Sequence, residues 1–81
     1  MRIDKYLKLT RIIKRRQVAK EIIDSGRVAI NNRTVKPSAT VKVGDILTLK
    51  FSKNTIEVSV VETNEKNIKK NPDLAFKTIR S

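Results

Sequence analysis

Lys14, Arg15 and Arg16 are consecutive in "RIIKRRQVAK", with Arg11 before them, Lys20 four residues after Arg16, and Lys8 and Arg27 flanking the run. Ammonium and guanidinium groups in this density are suited to gripping phosphate oxygens, the planar guanidinium by two parallel hydrogen bonds. Lys14, Arg15 and Arg16 crowd like charges at the expected start of a helix, where the macrodipole disfavours cations. A purely structural use would be costly there, so the run implies an anionic partner. Arg2, beside Asp4, has two readings: an ion pair with that acid, or a further basic group on the same surface. Lys20 and Arg27 read equally as solubilising groups or as part of the basic face.

Other chemistry lacks its residues. There is no cysteine and no histidine, which removes thiol chemistry, disulfides, zinc fingers and imidazole catalysis. Gly26 and Gly44 are isolated, so no phosphate loop is spelled out, and the carboxylates are too scattered for an acid–base pair. Asp45, in "VGD", reads as a turn residue. The expectation is a binding protein rather than an enzyme, with no catalytic residue, no metal and no cofactor. Of 19 basic and 8 acidic residues, giving +11, residues 1–20 hold eight basic groups and one acid, a net of +7. The other 61 residues hold eleven and seven, a net of +4. Nucleic acid is favoured over lipid as the polyanion, because the basic segment lacks the Trp/Phe/Leu face of an interfacial helix. Apolar runs reach only two or three residues, so neither export nor membrane insertion is signalled and a cytoplasmic location is expected.

The elements that must hold these groups follow from periodicity. Ile3, Tyr6 and Leu7 share one face of a short helix near 4–10, with Asp4 as N-cap or first-turn acid and Lys5 and Lys8 outside. A second helix begins near Arg15, its stripe Val18, Ala19, Ile22 and Ile23, with Gly26 as its left-handed stop. Arg16 and Lys20 project together beside that stripe, clear of Val18 and Ile22, so removing Arg2 and Arg16 should leave the fold intact.

After Gly26 the period becomes two. "RVAIN", "RTVK", "ILTLKF" and "TIEVSVVE" read as strands with Val28/Ile30, Ile46/Leu47/Leu49/Phe51 and Ile56/Val58/Val60 inward. Asn31-Asn32, Lys36-Pro37-Ser38, Val43-Gly44-Asp45 and Ser52-Lys53-Asn54 are the turns. The fold class is α+β: two short N-terminal helices packed on a small, mostly antiparallel sheet. Residues 1–63 form the domain. Residues 64–81 form a polar tail, a short helix capped by Asn71 with Pro72 at its first position, or partly disordered.

"RIDKYL", "KRRQVAKEIIDSGRVAIN" and "VKVGDIL" together resemble the RNA-binding domain named after small-subunit ribosomal protein S-four, over residues 2 to about 51. Its helix-loop-helix-strand core, the alpha-L motif, reads R-L-D-x-x-L, a basic helix start, then G-x-V-x-V-N-G. Asn31-Asn32 replaces the family's N-G turn. Asn tolerates the left-handed conformation, so the hairpin should survive. The resemblance implies RNA contact by Arg2, and RNA-binding roles are expected for Arg2, Lys8, Arg11, Lys14, Arg15, Arg16, Lys20 and Arg27. Enzymes that append this domain carry their chemistry in a separate domain, for which this sequence has no room. The opening "MRIDKYLK...RIIKRR" is similar to the standalone RqcP family of ribosome-associated quality control, itself related to the fifteen-kilodalton heat-shock protein. That resemblance implies large-subunit rRNA, P-site tRNA and an RqcH-like protein as partners, support of alanine tailing on obstructed large subunits, and a monomer off the ribosome. A different RNA- or DNA-binding module using the same face is the alternative. With only Tyr6, Phe51 and Phe76 aromatic, base stacking is a minor mode.

Overall fold

Gly26 divides the chain into helical and sheet-forming parts. A computed structural model describes residues 1–81. Helix α1 spans Ile3–Leu9 and α2 spans Arg16–Asp24. The second ends in a Schellman motif: Gly26, at φ 82°, donates to the Ile23 carbonyl at 3.0 Å, and Arg27 donates to that of Ile22 at 3.4 Å. A side chain at Gly26 would strain this left-handed position, which is why the helix stops there.

Beyond it lie β1 (Val28–Ile30), β2 (Arg33–Thr34), β3 (Ile46–Lys50), β4 (Thr55–Val60), α3 (Glu65–Lys70), one 3-10 turn at Pro72–Leu74 and β5 (Phe76–Arg80). They form a five-stranded sheet in the order β2-β1-β3-β4-β5, with every neighbouring pair antiparallel. The fold is thus α+β, as expected. Asn31 and Asn32, at φ 50° and 69°, make the two-residue turn between β1 and β2. Their positive φ values match the twist of the hairpin, and Asn31 also accepts from the Ile46 N–H at 2.9 Å, locking the turn to β3. Asp45 is a turn residue, accepting from the Lys42 N–H at 2.8 Å.

One sheet face is covered by α1 and α2. Ile3, Tyr6 and Leu7 of α1 and Ala19 and Ile23 of α2 bury against Val28, Leu47, Leu49, Val58 and Val60. Two details differ from the sequence expectation. Val18 is 38% exposed, and Ile22 only flanks the core, because α2 packs along the line Ala19–Ile23. In β3 strict alternation sends Leu47 and Leu49 inward and leaves Ile46 partly covered on the other face.

The largest correction concerns residues 64–81, read as a polar tail. They hold α3, capped by Asn64, whose side chain accepts from the Asn67 N–H at 3.2 Å, and then the expected short helix with Asn71 as its N-cap, formed as a 3-10 turn. Pro72 opens the 3-10 turn, and β5 then pairs along β4 from Val60 to Glu57. Ile68 and Ala75 are core residues, and the buried Tyr6 hydroxyl donates to the Ala75 carbonyl at 2.6 Å. Burial, with the Glu62 charge adding, pushes that phenol well above its ordinary pKa, so it stays a donor. No helix is long and apolar enough to cross a membrane.

Candidate nucleic-acid interface

The start of α1 is fixed by the loop before β3. Ile3 N–H donates to the Ala39 carbonyl at 2.8 Å and Val41 N–H to that of Met1 at 2.9 Å, so Arg2 leaves the chain at a defined point. Its guanidinium straddles Asp4, with Nε to Oδ1 at 3.2 Å and Nη2 to Oδ2 at 3.1 Å. Arg16, the first residue of α2, reaches the same carboxylate, its Nη2 3.4 Å from Oδ1. Asp4 is fully buried, whereas the Arg2 and Arg16 side chains are 49% and 41% exposed. Burial works to raise the Asp4 carboxyl, but the Lys5 N–H at 2.7 Å and the two guanidiniums outweigh it and hold the group below its ordinary value.

The ion-pair reading of Arg2 is therefore correct, and Arg16 shares it. The expectation that these two arginines could be removed without consequence for the fold is corrected: they neutralise a buried charge. Each still turns about half its surface outward, and Arg16 Nε is buried with no partner. Asp4 orients both forks; it does not sequester them.

Arg15 is the N-cap of α2, exposed and with no side-chain cap bond, and the first turn holds no acid. The opening N–H groups of α2 thus lack a side-chain acceptor at the place where Arg15 and Arg16 stand, an arrangement that favours an incoming anion. Lys8, Arg11 and Lys14 line one cavity of about 390 Å³ with Leu9, Lys69 and Pro72. Lys20 is half-buried on α2. Arg27 lies apart from these, in a shallow groove with Ala29, Asn32, Thr34, Thr48 and Lys50.

The structure thus joins Arg2 with Arg16 on Asp4, and Lys8 with Arg11 and Lys14 around one cavity, and sets Arg27 elsewhere. Among these eight residues, only Arg2 and Arg16 form ion pairs. Lys69 escaped the sequence reading because only the packing of α3 brings it beside α1. Tyr6 is fully buried and Phe51 and Phe76 pack against the core, which leaves no aromatic platform for bases.

The S4 domain model matches residues 1–47, which cover both helices, the first hairpin and the beginning of β3. The chain is 46% identical over 79 residues to the "RQC P-site tRNA stabilizing factor" of Listeria innocua, covering 98% of this chain and 85% of that one. Its Bacillus subtilis counterpart of the same name is 48% identical over 65 residues, 80% of this chain and 76% of that one. In fold it is similar to a trimeric structure of heat shock protein 15 from Vibrio cholerae, with a TM-score of 0.84 at 23% identity, covering 96% of this chain and 80% of the other.

Proposed function

The chain belongs to the S4 domain family, and from that premise we propose that it is a cytoplasmic RNA-binding adaptor of ribosome-associated quality control. In this reading it is not an enzyme. It sits on the obstructed large ribosomal subunit, touches large-subunit rRNA and the P-site tRNA, and supports alanine tailing of the stalled chain with an RqcH-like protein. Arg2, Lys8, Arg11, Lys14, Arg15, Arg16, Lys20 and Arg27 supply the contacts.

The observation that carries the reading is the state of the basic residues. Six of the eight have no acidic partner, and the other two share one carboxylate while remaining half-exposed. A rigid helix pair bearing exposed cations, with its aromatics in the core, suits A-form RNA, which is recognised through phosphates, 2′-hydroxyls and shape. The relatives named as P-site tRNA stabilizing factors support tRNA as one ligand.

The test is sucrose-gradient sedimentation of the tagged chain after translation has been stalled, with the co-sedimenting tRNA identified. The expected result is co-migration with free large subunits that still carry peptidyl-tRNA. Migration with small subunits, or retention at the top of the gradient, would exclude the reading. Equal competition by duplex DNA and structured RNA for the isolated chain would favour the other nucleic-acid-binding reading.

A further inference from the structure

The cavity between the end of α1 and α3 has no role in the sequence-based reading as a unit. Its lining contains four basic residues, Lys8, Arg11, Lys14 and Lys69, and no acid. Three of them come from the N-terminal basic region. The fourth comes from α3, beyond residues 1–47 that the family model matches.

Two features indicate that these cations are built in rather than incidental. Arg11 has φ 63° and stands directly after the last turn of α1, its N–H donating to the Lys8 carbonyl at 3.0 Å. This is the left-handed helix-end position that glycine occupies without strain, so an arginine side chain is carried there against the backbone preference. Lys69, for its part, is 61% exposed and stands on α3 beside an acid. Its Nζ lies 3.0 Å from Glu65 one turn earlier, and Glu65 is also bridged by Lys5 of α1. Lys5 first, then Lys69, draws the Glu65 carboxyl down to about 2. Buried Ile68 and the Asn64 cap fix α3 under this arrangement.

We propose that this cavity seats the sugar–phosphate backbone of the bound RNA, with Lys69 as a phosphate ligand, so that α3 is part of the RNA interface. The proposal rests on the RNA-binding reading given above. At about 390 Å³ the cavity is far roomier than one free phosphate requires, and Lys14 in its lining is the first residue of the Lys14–Arg16 run. A backbone segment fits both properties. The Lys8 ammonium lies in the last turn of α1, where the helix dipole favours a cation, so its positive charge is stabilised in place before any anion arrives.

The test uses the full chain and a fluorescent tRNA transcript, with affinity measured by anisotropy across a series of salt concentrations. Lys69→Gln and Arg11→Gly are each expected to weaken binding several-fold and to reduce the log–log salt slope by about 0.7 to 0.9, the contribution of one phosphate contact. Arg11→Gly cannot act by straining the backbone, and thermal melting checks each variant. Lys53→Gln, in the β3–β4 turn, is expected to leave the slope unchanged. Inorganic phosphate is expected to compete no better than chloride at equal ionic strength.

If Lys69→Gln leaves the slope intact while Arg15→Gln lowers it, the cavity lies outside the interface and the RNA-binding reading stands. If the unsubstituted chain does not bind the transcript, both fall together. If inorganic phosphate raises the melting temperature in a Lys69-dependent manner while RNA affinity ignores Lys69, the cavity is a small-anion site and the proposal is wrong.

Discussion

Deleting both arginines that meet Asp4 would leave a buried carboxylate with only the Lys5 N–H on it. Arg2→Ala with Arg16→Ala should therefore destabilise the fold at neutral pH by about 3 kcal/mol, the lower end for breaking a buried pair because both guanidiniums are partly hydrated. The pH dependence identifies the cause. In the unsubstituted chain Asp4 is held below its unfolded value of about 3.9, so its contribution is full above that pH and lost as pH falls through the folded value. In the double variant burial dominates and raises the group, so the penalty is absent in acid and grows as pH rises. The melting deficit should shrink from pH 7 to about pH 3; a constant deficit would mean Asp4 is not responsible. Arg11→Gly should act in the opposite sense on stability, raising it by about 1 kcal/mol while weakening RNA binding. The density of Lys14-Arg15-Arg16 was legible directly. The Arg2–Asp4 pair could be suspected from spacing, but Arg16 joins it only because α1 and α2 pack side by side, which no local pattern reveals.

The same division holds for the elements. Both N-terminal helices, the Gly26 stop and the four strands from 28 to 60 follow from local rules: helical spacing, a left-handed glycine, then alternation. The phase of α2 did not, since Val18, Ala19, Ile22 and Ile23 offer a wide stripe and packing selected its Ala19–Ile23 edge. Ile23→Asp should accordingly unfold the domain, whereas Val18→Asp should shift the melting midpoint only slightly, as circular dichroism would record. Asn32→Gly should stabilise the hairpin by about 0.5 kcal/mol, because glycine accepts the second left-handed position of this turn more readily than asparagine. β5 was the element hidden from the sequence. "FKTIR" has four exposed residues in a row after Phe76, too little apolar signal by itself, and becomes a strand because the β4 edge offers backbone partners.

For the whole molecule, a charge of +11 is held in a body with a radius of gyration of 11.2 Å. Self-repulsion on that scale opposes the compact state and attracts polyanions, and salt screens both effects. Raising sodium chloride from about 50 to about 200 mM should therefore raise the melting temperature while lowering RNA affinity, with a log–log slope near −4 if about five phosphates are neutralised. Parallel thermal and anisotropy titrations would check this; a melting temperature that falls over the same range would show that ion pairs such as Lys5–Glu65 outweigh the repulsion. Overall charge and its bias toward the first quarter were visible in the sequence. The return of α3 to the basic surface was not, because it depends on contacts between the two ends of the chain.

Tyr6 and Ala75, joined by one hydrogen bond, are 69 positions apart. During synthesis the phenol therefore emerges early and must wait for nearly the whole sequence before its acceptor exists. Until residues 76–80 have been made, β4 presents a bare edge and the first helix lacks its lock. A copy abandoned mid-translation would carry every arginine of the basic surface without the frame that aligns them. A chain cut short before residue 75 should therefore be cleaved faster in limited proteolysis than one that includes β5.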